Sequence, residues 1–256
     1  MTGALALPRV VGHRGAAAHA PENTLAGLRA ARDLGCTWVE VDVKLSRDGV
    51  PILMHDDTLE RTTDGRGRVR DHDIDALRRL DAGSRFGPAF APDFAPDFAG
   101  ERIPLLAEML ETAADLGLSV DLEIKPCPGR EAETAERAIA VASAVWPADR
   151  PAPLITSFAG AALDTARRLA GDWPRGVLVR RPPRDPGAAV DRYAPAMIGF
   201  DRRYATDRGI ADAHAAGLVV CAYTVNEPGE AARLADLGID CVFSDRPDAV
   251  APVLEE

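Results

Sequence analysis

The chain is predicted to fold as a (β/α)8 barrel, an α/β architecture of eight parallel strands ringed by helices. Three observations point there. Short apolar runs recur about eight times along the 256 residues. Ala/Leu/Arg/Glu-rich stretches with helical spacing separate most of them, which is the alternation that parallel β/α units require. Two runs, Val39-Glu40-Val41-Asp42-Val43 and Asp121-Leu122-Glu123-Ile124-Lys125, carry apolar residues on one face and charged ones on the other. Successive strand side chains point to opposite faces, so each run presents charge to one enclosed side. A doubly wound open sheet is the alternative, but about eight units in this length fit closure better.

Taken in order, the expected strands are residues 9–11, 37–43, 119–124, 154–156, 176–180, 196–200, 218–222 and 241–243. Helices are expected at 23–34, 131–146, 160–170, 205–216 and 227–237, several ending at Gly or Pro. Residues 51–54 follow an Arg47-Asp48-Gly49 reversal and continue the second strand up to His55. From about 83 to 104 the alternation breaks into a Pro/Phe-rich insertion, with Ala91-Pro92-Asp93-Phe94 repeated as Ala95-Pro96-Asp97-Phe98. Closely spaced prolines exclude a stable helix there, so the segment is either a lid or a packed excursion. One barrel domain over 1–256 is expected.

With 46% hydrophobic and 27% charged residues the chain can build a sizeable core. A net charge of −10 argues against nucleic acid or an anionic membrane as a general partner. Residues 1–7 lack a basic leader and a membrane-length apolar run, so a cytoplasmic enzyme is the expectation. Cys36, Cys127, Cys221 and Cys241 form no C-x-x-C pair and read as packed, reduced thiols.

Glu40 and Asp42 lie about 7 Å apart along one pleat, where two ionised carboxylates repel and are costly to enclose. A divalent cation removes both costs. Gly12-His13-Arg14-Gly15 follows the first strand, and His55 ends the strand that returns from Asp42, so two imidazoles and the acidic residues face one barrel mouth. Histidine serves as acid or base near neutral pH. Pro21-Glu22-Asn23-Thr24 opens the first helix; Asn23 or Thr24 can cap it, and Glu22 either favours the helix start or supports the metal or Arg14. Lys44 and Lys125 are the only lysines among 30 basic residues. Lys125, on the face of Glu123, can meet a phosphate oxygen or a carboxylate, and Lys44 is expected to point outward. His19, His72 and His214 read as structural.

Together, His13-Arg14-Gly15, Pro21-Glu22-Asn23-Thr24, Glu40-Val41-Asp42, His55-Asp56, Leu122-Glu123-Ile124-Lys125, Tyr223-Thr224-Val225-Asn226 and Ser244-Asp245-Arg246-Pro247-Asp248 make the chain resemble the glycerophosphodiester phosphodiesterase family, from about Val10 to Pro247. The resemblance implies a barrel phosphodiesterase that releases sn-glycerol 3-phosphate and an alcohol such as choline or ethanolamine. It implies Glu40, Asp42 and Glu123 as ligands of one divalent cation, and carboxylate-only ligands suit Mg²⁺ or Ca²⁺. His13 and His55 are implied as the acid/base pair, in either order. Arg14 and Lys125 would bind the substrate phosphate, Tyr223 would line the substrate pocket, and Glu22 and Asn23 would support the ligands from behind. Tyr223 stands where many relatives carry Trp. The implied partner is a small phosphodiester, with neither nucleic acid nor stable membrane association expected. Two other readings keep the pocket: a lysophospholipid or phosphoinositide diesterase, and a non-catalytic diester-binding barrel.

Overall fold

The computed structural model describes residues 5–87 and 98–254. Strands β1 (Val10–His13), β2 (Trp38–Leu45), β4 (Ser119–Ile124), β5 (Leu154–Ser157), β6 (Arg175–Val179), β7 (Met197–Asp201), β8 (Val219–Tyr223) and β9 (Cys241–Ser244) pair in parallel in that order, and β1–β9 pairing closes the ring. Each of the eight expected strands is present. The extra strand β3 (Pro51–Leu53) runs antiparallel on β2, pairing Val43 with Leu53 and Leu45 with Pro51. It is the predicted return of the second strand, and it leaves β2 free to pair with β4 along its other edge.

Helices α1 (Leu25–Asp33), α2 (Ile74–Leu77), α3 (Leu106–Asp115), α4 (Glu131–Val145), α5 (Gly160–Leu169), α6 (Gly187–Tyr193), α7 (Asp207–Ala215), α8 (Pro228–Asp236) and α9 (Pro247–Val250) complete the units. The apolar faces of the strands turn outward to them. Val39, Val41 and Val43 of β2 and Val120, Leu122 and Ile124 of β4 pack with Leu28, Leu110, Ala135 and Ile139 in one core layer. Ile198, Phe200, Val220 and Val242 pack with Ile210, Ala213 and Leu234 in a second. Fully burying each such side chain stabilises by about 1.5–3 kcal/mol, so these layers hold the ring.

Inside the ring the chemistry is split by height. Val11, Leu154, Met197, Cys221, Cys241 and Phe243 fill one layer. The acids of β2 and β4 lie in the interior as well, and the β2/β4 register sets Glu40 beside Asp121 and Asp42 beside Glu123. The four cysteines are buried free thiols, as their spacing implied. Of the 83–104 insertion, residues 88–97 lie outside the described residues, and with them Phe90, Phe94 and nearly all of the tandem repeat. At its flanks Phe86 and Phe98 meet edge to face at 5.2 Å.

Candidate active site

The loop from β1 into α1 builds one wall. Thr24 is the helix cap, its Oγ1 accepting from the Gly27 amide at 3.1 Å, which leaves Asn23 free for another task. Arg14 and Asn23 both occupy the left-handed region, at φ 53° and 56°. That strained turn aims the Arg14 amide at Glu40 Oε2 (3.0 Å) and folds Asn23 back over β2. Asn23 Nδ2 donates to Asp42 Oδ2 at 2.8 Å, while the Asp42 amide donates to Asn23 Oδ1 at 3.0 Å.

Glu40, Asp42 and Glu123 converge, with one carboxylate oxygen from each lying within 4.8 Å of the others. All three are buried, Asp42 fully. Glu40 Oε1 and Asp42 Oδ1 have no hydrogen-bond partner, although Lys125 Nζ stands 3.3 Å from the latter. Lys125 Nζ also donates to Glu123 Oε1 at 2.9 Å. Arg14 donates to Glu22 Oε1 at 2.8 Å and sets Nε 3.2 Å from Asp42 Oδ2. Arg61 holds Glu22 from the other side at 2.5 and 2.8 Å.

Burial raises Glu40 above the usual carboxylate range, and Asp42, Glu123 and Asp121 add to it. Glu123 is raised by burial and then by Asp42. Burial opposes the charge on Asp42 too, but Arg14, Lys125, His55 and the Asn23 hydrogen bond outweigh it and hold its carboxyl low. Two partnerless buried oxygens among hard carboxylate donors fit a divalent cation such as Mg²⁺ or Ca²⁺. The donor set contains no thiolate or imidazole that would favour a softer metal.

Both imidazoles line the same cavity of about 220 Å³, together with Arg14, Glu40, Glu123 and Lys125. His13 Nδ1 meets Asp245 Oδ1 at 2.6 Å, and Asn226 fixes that carboxylate by donating from Nδ2 to Oδ2 at 2.7 Å. His55 Nδ1 meets Asp56 Oδ1 at 2.6 Å, and Arg61 holds the same carboxylate. Each ring therefore keeps Nε2 for the cavity; His13 Nε2 is 3.9 Å from Glu40 Oε2. Burial lowers the His55 pKa, and Arg14 and Lys125 reinforce this against Asp42. Phe158, Leu178, Tyr223 and Phe243 add an apolar stretch of wall, beside Asp121, Thr156 and Thr224. Tyr223 donates its hydroxyl to the Val179 carbonyl at 2.7 Å and meets Phe158 edge to face at 5.7 Å.

A model of the glycerophosphoryl diester phosphodiesterase family matches residues 13–249. The chain belongs to that family. A phosphodiesterase of Oleispira antarctica, solved in complex with the product sn-glycerol-3-phosphate, is similar over 98% of each chain, at 37% identity and a TM-score of 0.91. A putative glycerophosphoryl diester phosphodiesterase of Silicibacter pomeroyi superposes at a TM-score of 0.86 and 29% identity, covering 97% of this chain and 93% of its own. A putative glycerophosphodiester phosphodiesterase of Bacillus subtilis is 30% identical over 247 residues, 94% of this chain and 96% of the relative.

The structure brings together every residue singled out for the site: His13, Arg14, Glu22, Asn23, Glu40, Asp42, His55, Glu123, Lys125 and Tyr223. It corrects Lys44. Two residues beyond Asp42, Lys44 is on the same face by the strand period, and it is 2% exposed rather than outward. Its ammonium pairs with the Asp57 carboxylate at 2.8 Å and donates to the Lys125 carbonyl at 3.0 Å. Sequence reasoning assigned no role to Asp245, Asp56, Asn226, Arg61 or Phe158. Asp56 and Asp245 could have been found, since Asp56 follows His55 and Asp245 follows the last residue of β9, each in a motif already singled out. Arg61 and Phe158 carry no such signal. His19 and His214 pair with Asp248 and Asp240 away from the site, and His72 meets the Arg66 carbonyl.

Proposed function

We propose that the chain hydrolyses glycerophosphodiesters such as glycerophosphocholine and glycerophosphoethanolamine to sn-glycerol 3-phosphate and the free alcohol, with Glu40, Asp42 and Glu123 holding one divalent cation, Mg²⁺ or Ca²⁺. The observation that carries this reading is the pairing of two carboxylate-held imidazoles with the three-carboxylate cluster in one cavity. The product named for the Oleispira structure supports the same substrate class.

A phosphodiester gains negative charge on its equatorial oxygens as the attacking oxygen approaches. Arg14 and Lys125, both facing the cavity, offset that charge. When bound, the cation supplies Lewis-acid stabilisation at those oxygens. His55, which burial keeps neutral near pH 7, accepts the proton of the neighbouring glycerol hydroxyl as its oxygen bonds to phosphorus. His13, with carboxylates near both ring nitrogens, gives a proton to the departing alcohol oxygen as the P–O bond breaks. Water then opens the cyclic ester with the two roles reversed. Asp245 and Asp56 fix which ring nitrogen faces the substrate. The apolar wall of Phe158, Leu178, Tyr223 and Phe243 packs the carbons of the alcohol half.

Product analysis tests the reading. Purified protein supplied with Mg²⁺ or Ca²⁺ and glycerophosphocholine should release sn-glycerol 3-phosphate and choline. Release of glycerol and phosphocholine, or tight binding without turnover, would refute it.

A further inference from the structure

A basic rim stands behind Tyr223 at the barrel mouth. Arg180 directly follows Val179, whose carbonyl accepts the Tyr223 hydroxyl, and Arg202 and Arg203 directly follow Asp201, which pairs in register with Tyr223. Tyr204 sits among them. The Arg181 guanidinium lies 4.1 Å from its ring centroid, Arg180 lies 5.5 Å away, and Arg180 also donates to the Tyr204 hydroxyl at 3.3 Å.

The arginines of this rim divide into two kinds. Arg203 is clamped on Asp201, and Arg202 meets Glu230 at 3.4 Å. Arg180 and Arg181 make no ion pair with a carboxylate among the described residues; their shared partner is a neutral phenol. In a chain with 40 acidic and 30 basic residues, two adjacent exposed guanidiniums without an acid are a local reversal of sign. Asp185, the nearest acid along the chain, spends Oδ1 on the Gly187 amide.

We propose that Arg180 and Arg181, held on Tyr204, bind an anionic group, a carboxylate or a phosphomonoester, on the alcohol half of the diester. The inference rests on the proposed diesterase reading and narrows its substrate class. The glycerol half carries only hydroxyls, so a second anion has to arrive on the alcohol. The planar guanidiniums suit carboxylate and phosphate oxygens, and the ring of Tyr204 pre-orders them.

The test compares glycerophosphoinositol 4-phosphate and glycerophosphoserine with glycerophosphoglycerol, whose alcohol is neutral. The native enzyme should favour the phosphorylated diester through a lower KM, by about tenfold in kcat/KM. In R180A/R181A that ratio should collapse toward one, while R180K/R181K, which keeps the charge but loses the planar fork and the stacking on Tyr204, should retain only part of it. Calorimetry with inositol 4-phosphate should show a parallel loss of affinity in the alanine variant. An unchanged ratio in R180A/R181A would overturn the inference. So would arginine-dependent sedimentation with phosphatidylglycerol vesicles and no effect on the soluble diesters, which would make the rim a lipid-surface contact. Failure to hydrolyse any of the three diesters would instead refute the diesterase reading itself.

Discussion

Asn23 grips Asp42 at both ends, side chain to side chain at 2.8 Å and side-chain carbonyl to backbone amide at 3.0 Å. The grip fixes the carboxylate rotamer and leaves Oδ1 without a hydrogen bond, 3.3 Å from Lys125 Nζ. Supports of this kind govern metal affinity nearly as strongly as the ligands do. Asn23→Ala should weaken Mg²⁺ or Ca²⁺ binding by about 10- to 100-fold, read by calorimetry. Asn23→Gly separates the two roles of the residue. At φ 56° glycine relieves the backbone strain that alanine keeps, so stability should partly return while affinity stays low.

The Asp245–His13 contact at 2.6 Å predicts a kinetic effect without a binding one. Asp245→Ala leaves Nδ1 without its acceptor, so the ring loses its tautomer and orientation. We expect kcat to fall at least ~10²-fold with KM changed by less than about threefold. A KM effect with normal kcat would remove Asp245 from the proton-transfer machinery.

The carboxylate cluster predicts how metal stabilisation varies with pH. Burial raises the pKa values of Glu40 and Glu123 in the folded protein. Their contribution to metal-free stability is therefore complete below the unfolded carboxylate pKa and is lost as pH rises through the folded values. Metal binding needs the ionised forms, so it regains that loss. The Tm gained on adding Mg²⁺ or Ca²⁺ over chelator should grow from pH 5 to pH 8. It should reach roughly 5–10 °C at a hundredfold excess over Kd. His55, whose pKa is lowered by burial, adds stability as pH rises toward the unfolded value of about 6.5 in both arms, and so does not reverse the trend. A pH-independent increment would argue against cation binding by these carboxylates.

Gly15 predicts the limit of tolerance in the site loop. Its φ is +90°, and an added Cβ would come within 2.6 Å of the Gly27 carbonyl carbon and 2.7 Å of its oxygen. Gly15→Ala has to push the β1 loop off α1, which moves Arg14 and Asn23 together. A loss of about 2 kcal/mol or more in urea unfolding is expected, with impaired metal binding.

The alternation of apolar runs and helical stretches made the barrel legible, because each strand must bury an outward apolar face under a helix. Glu40, Asp42 and Glu123 were legible for the converse reason: carboxylates at every second residue of a strand have no structural use in a dry interior. Lys44 was legible as well, since the period that turns Glu40 and Asp42 inward turns Lys44 inward too; only its partners, Asp57 and the Lys125 carbonyl, come from elsewhere in the chain. Asp245 closes on His13 across 232 residues, a contact set by ring closure rather than by spacing. The arginines around Tyr204 come together only where β6 and β7 end side by side.

The most direct test of the central claim is the rate of sn-glycerol 3-phosphate release from a glycerophosphodiester, measured before chelation, after it, and after adding back Mg²⁺ or Ca²⁺. Release should stop on chelation, return with the ion, and fall at least ~10²-fold in His13→Ala and in His55→Ala even with the ion present. Undiminished release in the presence of chelator would contradict the claim.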